Sequence, residues 1–313
     1  MSPPHLLLAL VIDLGWGFNF IAARVGVTEI PPLLFITLRF TLVLILLSPF
    51  LRWKRGMMRD IFIVALFAGV LQFAFMFTGT AASNASVAAI LAQLQLPFAT
   101  LLAIVFLKEH VGWRRWSGIG LALVGMAVLG FDPLIIHYWL GALLVTLASL
   151  MTAISQIFMR RMKEIGVLEL QAWIAAVTAP SVLVLSFLLE RHRWHELSLA
   201  PTHLWALVAY TGIVASIFGQ SGMFFLLKRY DVAIVVTLIA LAQVFGTIFG
   251  VLLLHEPMTP RVAVGALVIC GGVVIIALRQ RGAPGAPVGL AEAEVGVIPP
   301  PLKTAAPSQI VER

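Results

Sequence analysis

Charge is what this 313-residue chain has least of. Only 11% of its residues are Asp, Glu, Lys or Arg, where a soluble domain carries about 25%. Hydrophobic residues make up 61% and mean hydropathy is +1.03, more apolar surface than a fold in water can hide. That excludes a soluble globular protein and points to an integral membrane protein. Cysteine is nearly absent. A lone Cys270 excludes an intrachain disulfide, and its apolar run makes it a small buried hydrophobe. The histidines (His5, His110, His137, His192, His195, His203 and His255) all sit at segment ends or in loops, so a metal centre in the core lacks ligands. HExxH, GxSxG, paired Asp-rich motifs and a Walker A loop are missing. An embedded enzyme would lack its reactive cluster, and the chain has no ATPase of its own. We expect no enzymatic activity, no metal and no cofactor. The net charge of +7 says little about nucleic acid, because basic residues in membrane proteins gather in cytoplasmic loops.

What the chain does have is apolar runs. Ten segments approach the ~20 residues that a spanning helix needs: 5–25, 31–51, 60–80, 86–107, 116–131, 139–159, 168–189, 204–227, 232–254 and 262–279. Short gaps make neighbouring helices antiparallel. The first segment lacks basic residues before it and contains Asp13, so it reads as a retained helix rather than a signal peptide. Residues 280–313 are rich in Pro, Ala and Gly without apolar period and are expected to be a disordered cytoplasmic tail.

Lys and Arg alternate by loop. One side collects Arg52, Lys54, Arg55 and Arg59, then Lys108, Arg114 and Arg115, then Arg160, Arg161 and Lys163, then Lys228 and Arg229, then Arg279 and Arg281. The other side has Arg191, Arg193 and Arg261, with Arg24 at its border. The positive-inside rule then puts both termini in the cytoplasm of an inner-membrane protein.

The stretches FLKEHVGWRRWSGIGLALVG and LLLHEPMTPRVAVGALVICGG show the same device twice. Glu256 follows Glu109 by 147 residues, as Gly265 follows Gly118 and Gly272 follows Gly125. The spacing indicates a duplication, with halves 1–131 and 139–279 of five helices each. Five is odd, so the second copy lies inverted, and its counterpart of the basic gap has lost most of its arginines. The expected fold is an all-α integral membrane protein of ten helices in two inverted five-helix repeats. That is an architecture of secondary transporters, with the site near the midplane.

WGFNFIAARVGVTEIPPLLFITLRF resembles the opening motif of the EamA-type transporters of the drug/metabolite transporter superfamily, through Trp16, Gly17, Asn19, Pro32 and Arg39. LPFATLLAIVFLKE and GTIFGVLLLHE are similar to that family's repeat endings, and QFAFMF at 72–77 to the third helix of its amino-acid exporters. The resemblance covers about 1–280. It departs at Val244, the counterpart of Pro97, where the family often keeps proline. It implies export of amino acids, other metabolites or drugs.

Polar groups inside such a chain need a reason. Asp13 and Arg39 each lie about eight residues into antiparallel helices, hence at similar depth. They read either as an ion pair locking two helices or as a substrate and coupling site, Arg39 holding a carboxylate and Asp13 an ammonium or a proton. Asp13, Trp16, Gly17 and Phe20 share a helical face, with Asn19 beside Trp16. Gln72, Gln93, Gln156, Gln220 and Gln243 lie on five different segments, either as interhelical glue or as a shared polar interior. Pro97 is a kink or hinge. Glu109 and Glu256, at membrane borders, read as helix caps before gates, Arg24 as a snorkelling residue, and Gly246 with Gly250 as a close-packing pair within the bundle.

The expected protein is a secondary transporter in the lipid bilayer, exporting small amphipathic metabolites, amino acids first. A proton is the candidate coupling ion, and a monomer or weak dimer the expected assembly. Alternatives are a multidrug or nucleotide-sugar-like carrier of the same fold, or a channel or scaffold without carrier activity.

Overall fold

The computed structural model describes residues 2–107, 112–159, 162, 165–227, 229–230, 238 and 241–277. The expected tail, Glu109 and most of segment 232–240 lie outside them. Everything regular among the described residues is helical. In chain order the rods are α1 (Pro3–Glu29) and α2 (Pro32–Leu47), then α3, built from Met58–Val64, Ala65–Leu71 and Gln72–Ala81. Next come α4, split into Ala85–Ala92 and Gln95–Leu107, then α5 (Trp113–Gly130), α6 (Trp139–Met159) and α7 (Val167–Glu190). The last three are α8, built from His203–Ala209, Tyr210–Phe218 and Gly219–Leu227, then α9 (Leu241–Leu253) and α10 (Pro260–Ala277). Seven rods, α1 to α4 and α6 to α8, are long and apolar enough to cross a bilayer, and the apolar runs of α5, α9 and α10 are shorter.

The surface is that of a membrane protein. Large apolar side chains such as Val105, Phe106, Leu188, Leu189, Leu252 and Leu267 face outward. Trp53, Trp113, Trp116, Trp139 and Trp205 are exposed near helix ends, where amphipathic rings sit at the headgroups. Asp13, Arg39, Gln93, Ser149, Thr178 and Ser216 are buried instead.

The packing repeats itself between the halves. α1 packs on α9 and on α8, while α6 packs on α4 and on α3. α2 meets α8 as α7 meets α3, and α2 meets α7 directly. α5 crosses α10 at paired glycines. A Cβ on Gly118 would lie 2.8 Å from the Gly272 carbonyl oxygen, and one on Gly125 2.9 Å from that of Gly265. Conversely, a Cβ on Gly272 would lie 2.6 Å from the Gly118 oxygen. Because Gly265 and Gly272 are the +147 counterparts of Gly118 and Gly125, the contact is reciprocal: each glycine meets the counterpart of the other.

Two π segments carry the same displacement. Within α3, Ala65–Leu71 is π-helical, and the Gln72 N–H bonds to the carbonyls of Phe67 and Gly69. Within α8, Tyr210–Phe218 is π-helical, and the Gly219 N–H bonds to those of Val214 and Ser216. Every partner has moved by 147. Nothing in the hydropathy pattern anticipated these segments, since one extra residue in a turn leaves an apolar run apolar.

Pro97 breaks its rod where its chemistry dictates. Its ring clashes with the carbonyl four residues back, and it has no N–H to give. The break falls at Gln93–Leu94, with Leu96 N–H turning to the Gln93 carbonyl at 3.3 Å. Gln93 and Pro97 therefore do not share an unbroken helical face.

The helix ends are tied. Glu256 caps α4: its carboxylate accepts the N–H of Ala85 at 2.7 Å, and the N–H and hydroxyl of Ser86 at 2.8 and 2.6 Å. Glu190 accepts from the N–H groups of Leu33 and Leu34 at the start of α2. Asp132 takes the Thr259 hydroxyl. Arg24 donates to the carbonyls of Thr80 and Ala81 at 2.8 and 2.7 Å, because the last carbonyls of a helix lack internal partners. At the opposite end, the His5 ring lies 2.7 Å from the Tyr230 hydroxyl, and hydrogen bonds from Ser2 hold that phenol below its usual pKa.

Candidate substrate site

The polar interior centres on the π segment of α8. An α-helix would aim the Gly219 N–H at the Ala215 carbonyl; here it turns elsewhere, and that carbonyl accepts the Trp16 indole N–H at 2.8 Å. Gly219 has to be glycine, since a Cβ would sit 2.3 Å from the Trp16 nitrogen. Trp16 is thus tied to α8 by its polar edge. The Tyr210 hydroxyl returns the tie, donating to the Gly15 carbonyl at 2.8 Å.

Arg39 enters the same junction from α2. Its Nη2 donates to the Ser216 hydroxyl at 2.8 Å, and that hydroxyl donates on to the Thr211 carbonyl, five residues back, at 3.1 Å. The guanidinium carbon lies 4.8, 5.6 and 5.7 Å from the ring centres of Phe73, Phe40 and Phe77, so aromatic faces take up part of its charge. Nε and Nη1 have no hydrogen-bond partner although Arg39 is only 3% exposed. From α7, the Gln171 amide reaches the Ser216 carbonyl at 3.4 Å.

Asp13 is fully buried on α1 with neither oxygen hydrogen-bonded. The ion pair between Asp13 and Arg39 does not form. Equal depth was the reason to expect it, but depth fixes only the height of a residue on its rod. Azimuth decides contact, and Arg39 turns toward Ser216 and the phenylalanines. A buried carboxylate without partners is costly, and membrane proteins keep such groups where they are used.

The other expected residues divide. Asn19 and Gln243 are half-buried with Oδ1 and Oε1 shielded and unpartnered. They lie on α1 and α9, which pack together where a Cβ on Gly17 would be 3.0 Å from the Gly246 nitrogen. Gly246 and Gly250 thus lie within the bundle. Gln93 sits at the α4 break with its amide 3.8 Å from the Cys270 sulfur. Ser149, on α6, donates to the Leu91 carbonyl at 3.0 Å just before that break. Gln72 directly follows the π segment of α3, and Gln220 follows that of α8 by one residue. Gln156 is half-buried on α6. The junction therefore unites Trp16 and Arg39 with residues that sequence reading missed: Tyr210, Ser216 and Gln171. Gln93 belongs to a second cluster around the α4 break.

A helical bundle that buries Asp13 and Arg39 among its rods and turns its apolar side chains outward is a multi-pass membrane protein, and a polar junction between its rods is what membrane carriers enclose. The profile of the EamA-like transporter family matches residues 4–131 and again 139–278, nearly the whole described chain, and the protein belongs to that family. Among curated proteins, it is 29% identical over 294 residues to a protein of Escherichia coli strain K12 named "Probable amino-acid metabolite efflux pump", covering 90% of this chain and 98% of that one. A protein of the same name from Salmonella typhimurium strain LT2 is 29% identical over 284 residues, 88% and 95% of the two chains. The "Uncharacterized transporter YoaV" of Bacillus subtilis strain 168 is 25% identical over 279 residues, 86% and 94%. A solved crystal structure shares the fold at a TM-score of 0.59 and 21% identity, covering 88% of this chain and 96% of that one.

Proposed function

We propose that this transporter is a secondary carrier exporting small amphipathic metabolites, amino acids first, by alternating access of two inverted five-helix halves around the Arg39 junction. The observation that carries the reading is Arg39: a buried guanidinium, braced by Ser216 and three phenylalanines, with Nε and Nη1 free for a further acceptor. A guanidinium offers a carboxylate two parallel donors, and the phenylalanine faces suit an apolar side chain. Asp13 supplies the opposite charge, for an ammonium or a coupling proton. The matched π exits, the reciprocal glycines and the paired family match at 4–131 and 139–278 support the inverted repeat. The loop arginines support an inner-membrane orientation with both termini inside. The names borne by the Escherichia and Salmonella relatives support amino acids.

The test is exchange in proteoliposomes. Purified protein should carry labelled amino acids with saturation and trans-acceleration by the trapped species, and Arg39→Gln should abolish both. Flux that neither saturates nor exchanges would indicate a channel and refute the reading.

A further inference from the structure

We infer that a cavity at the basic end of the bundle is a loading site for zwitterionic amphipaths, one that reads both charges before the substrate reaches Arg39. The inference rests on the carrier reading above. The cavity measures about 620 Å³ and lies between the end of α2, the start of α7 and the last turns of α8, within the size range of small-molecule sites. Phe50, Val167, Leu168 and Phe225 give it apolar walls; Arg52, Glu169, Ser221 and Arg229 are its polar groups.

Glu169 is the telling one. Its Oε1 is shielded from solvent without a hydrogen-bond partner, while Oε2 lies 3.6 Å from the ammonium of Lys54. That lysine is 37% exposed, and pairs of this kind hold weakly. The carboxylate thus keeps one oxygen unpartnered at the cavity lining. Arg229 lies over Phe225, its guanidinium carbon 3.7 Å from the ring centre. The ring contact leaves the guanidinium N–H groups to bind a carboxylate. Arg52 lies on the same lining. One carboxylate, two guanidiniums and a phenylalanine wall suit an α-amino acid with an apolar side chain: ammonium to Glu169, carboxylate to Arg229 and Arg52. The same helix, α7, also reaches the deeper junction. Gln171, two residues beyond Glu169, touches the Ser216 carbonyl, and Ser216 is the partner of Arg39.

The test is binding of labelled L-leucine to the full chain in lipid nanodiscs, beside leucinamide, which lacks the carboxylate, and 4-methylpentanoate, which lacks the ammonium. Glu169→Gln should weaken leucine and leucinamide about tenfold, the scale of one charged hydrogen bond, and leave 4-methylpentanoate unchanged. Arg52→Gln with Arg229→Gln should weaken leucine and 4-methylpentanoate and spare leucinamide. Lys54→Gln is the folding control and should retain or tighten leucine binding. The site is refuted if wild-type protein shows no saturable leucine binding, if Glu169→Gln weakens all three ligands equally, or if Lys54→Gln reproduces the Glu169 loss. The two readings separate in liposomes. Normal exchange by Glu169→Gln, with unchanged KM, sinks the loading site and leaves the carrier. Binding that depends on Glu169 without exchange of any amino acid sinks the carrier and leaves the site.

Discussion

Asp13→Asn should cost the fold almost nothing while stopping transport. Breaking a buried ion pair typically costs about 3–5 kcal/mol, because the other charge is stranded. Here no partner is stranded: both Asp13 oxygens lack hydrogen bonds, and Arg39 is held by Ser216. The amide is nearly isosteric, so no cavity opens, and removing an unpartnered carboxylate lifts a desolvation cost. The expected change is about 1 kcal/mol or less in either direction, roughly 3 °C in detergent melting temperature, against roughly 10 °C for a broken pair. Arg39→Gln should differ, since it gives up a charge-assisted bond and its ring contacts, at about 2 kcal/mol. Transport by Asp13→Asn should fall at least tenfold if the carboxylate takes an ammonium or a proton. The assay is fluorescence-detected melting beside liposome exchange for both singles and the double. A large melting loss in Asp13→Asn that the double mutant recovers would refute the unpaired geometry. Near-normal exchange by the double mutant would remove both residues from the site.

Glu256→Gln should destabilise by about 2 kcal/mol, because an amide offers one acceptor where the α4 terminus presents donors to both oxygens; a melting temperature within 1 °C of wild type would contradict this. Gly125→Leu should cost more than about 3 kcal/mol and expose α5, since even its Cβ would lie 2.7–2.9 Å from Ile269 and Gly265 atoms; normal expression and melting would count against the reciprocal crossing. A cysteine at Thr259 should react with an impermeant thiol reagent in intact cells, and one at Gly112 only after permeabilisation; the reverse pattern would overturn the inverted orientation.

Much of this was legible in the residues because membranes make strong demands. The rods α1 to α8 begin and end within a few residues of the apolar runs, since hydrocarbon tolerates little else. Glu256 was legible as a cap because a carboxylate at a helix border has few other uses. Pro97 announced the α4 break through its missing N–H. The interior was less legible. Tyr210, Ser216 and Gln171 read as ordinary residues in apolar runs, and the α8 π segment, which leaves no trace in composition, turns Tyr210 and Ser216 to a junction that Gln171 reaches from α7. The same limit explains Asp13 and Arg39: spacing along a chain gives height in the membrane, while rotation about each rod depends on neighbours far away in sequence.

The π segments have a mechanical consequence. Each stores one residue more than an α-helix of the same rise would hold. Returning it to the α ladder would turn everything beyond by about 100° and shift it by about 1.5 Å. Beyond the segment in α8 lie Ser221, Phe225 and Arg229, the α8 wall of the cavity; beyond its counterpart in α3 lie Phe73 and Phe77, the rings around Arg39. A change of winding at two short places, with no rod unfolding, would therefore re-aim one wall of the cavity and the rings beside Arg39. The chain holds that slack twice, 147 residues apart, as a screw thread cut into each half.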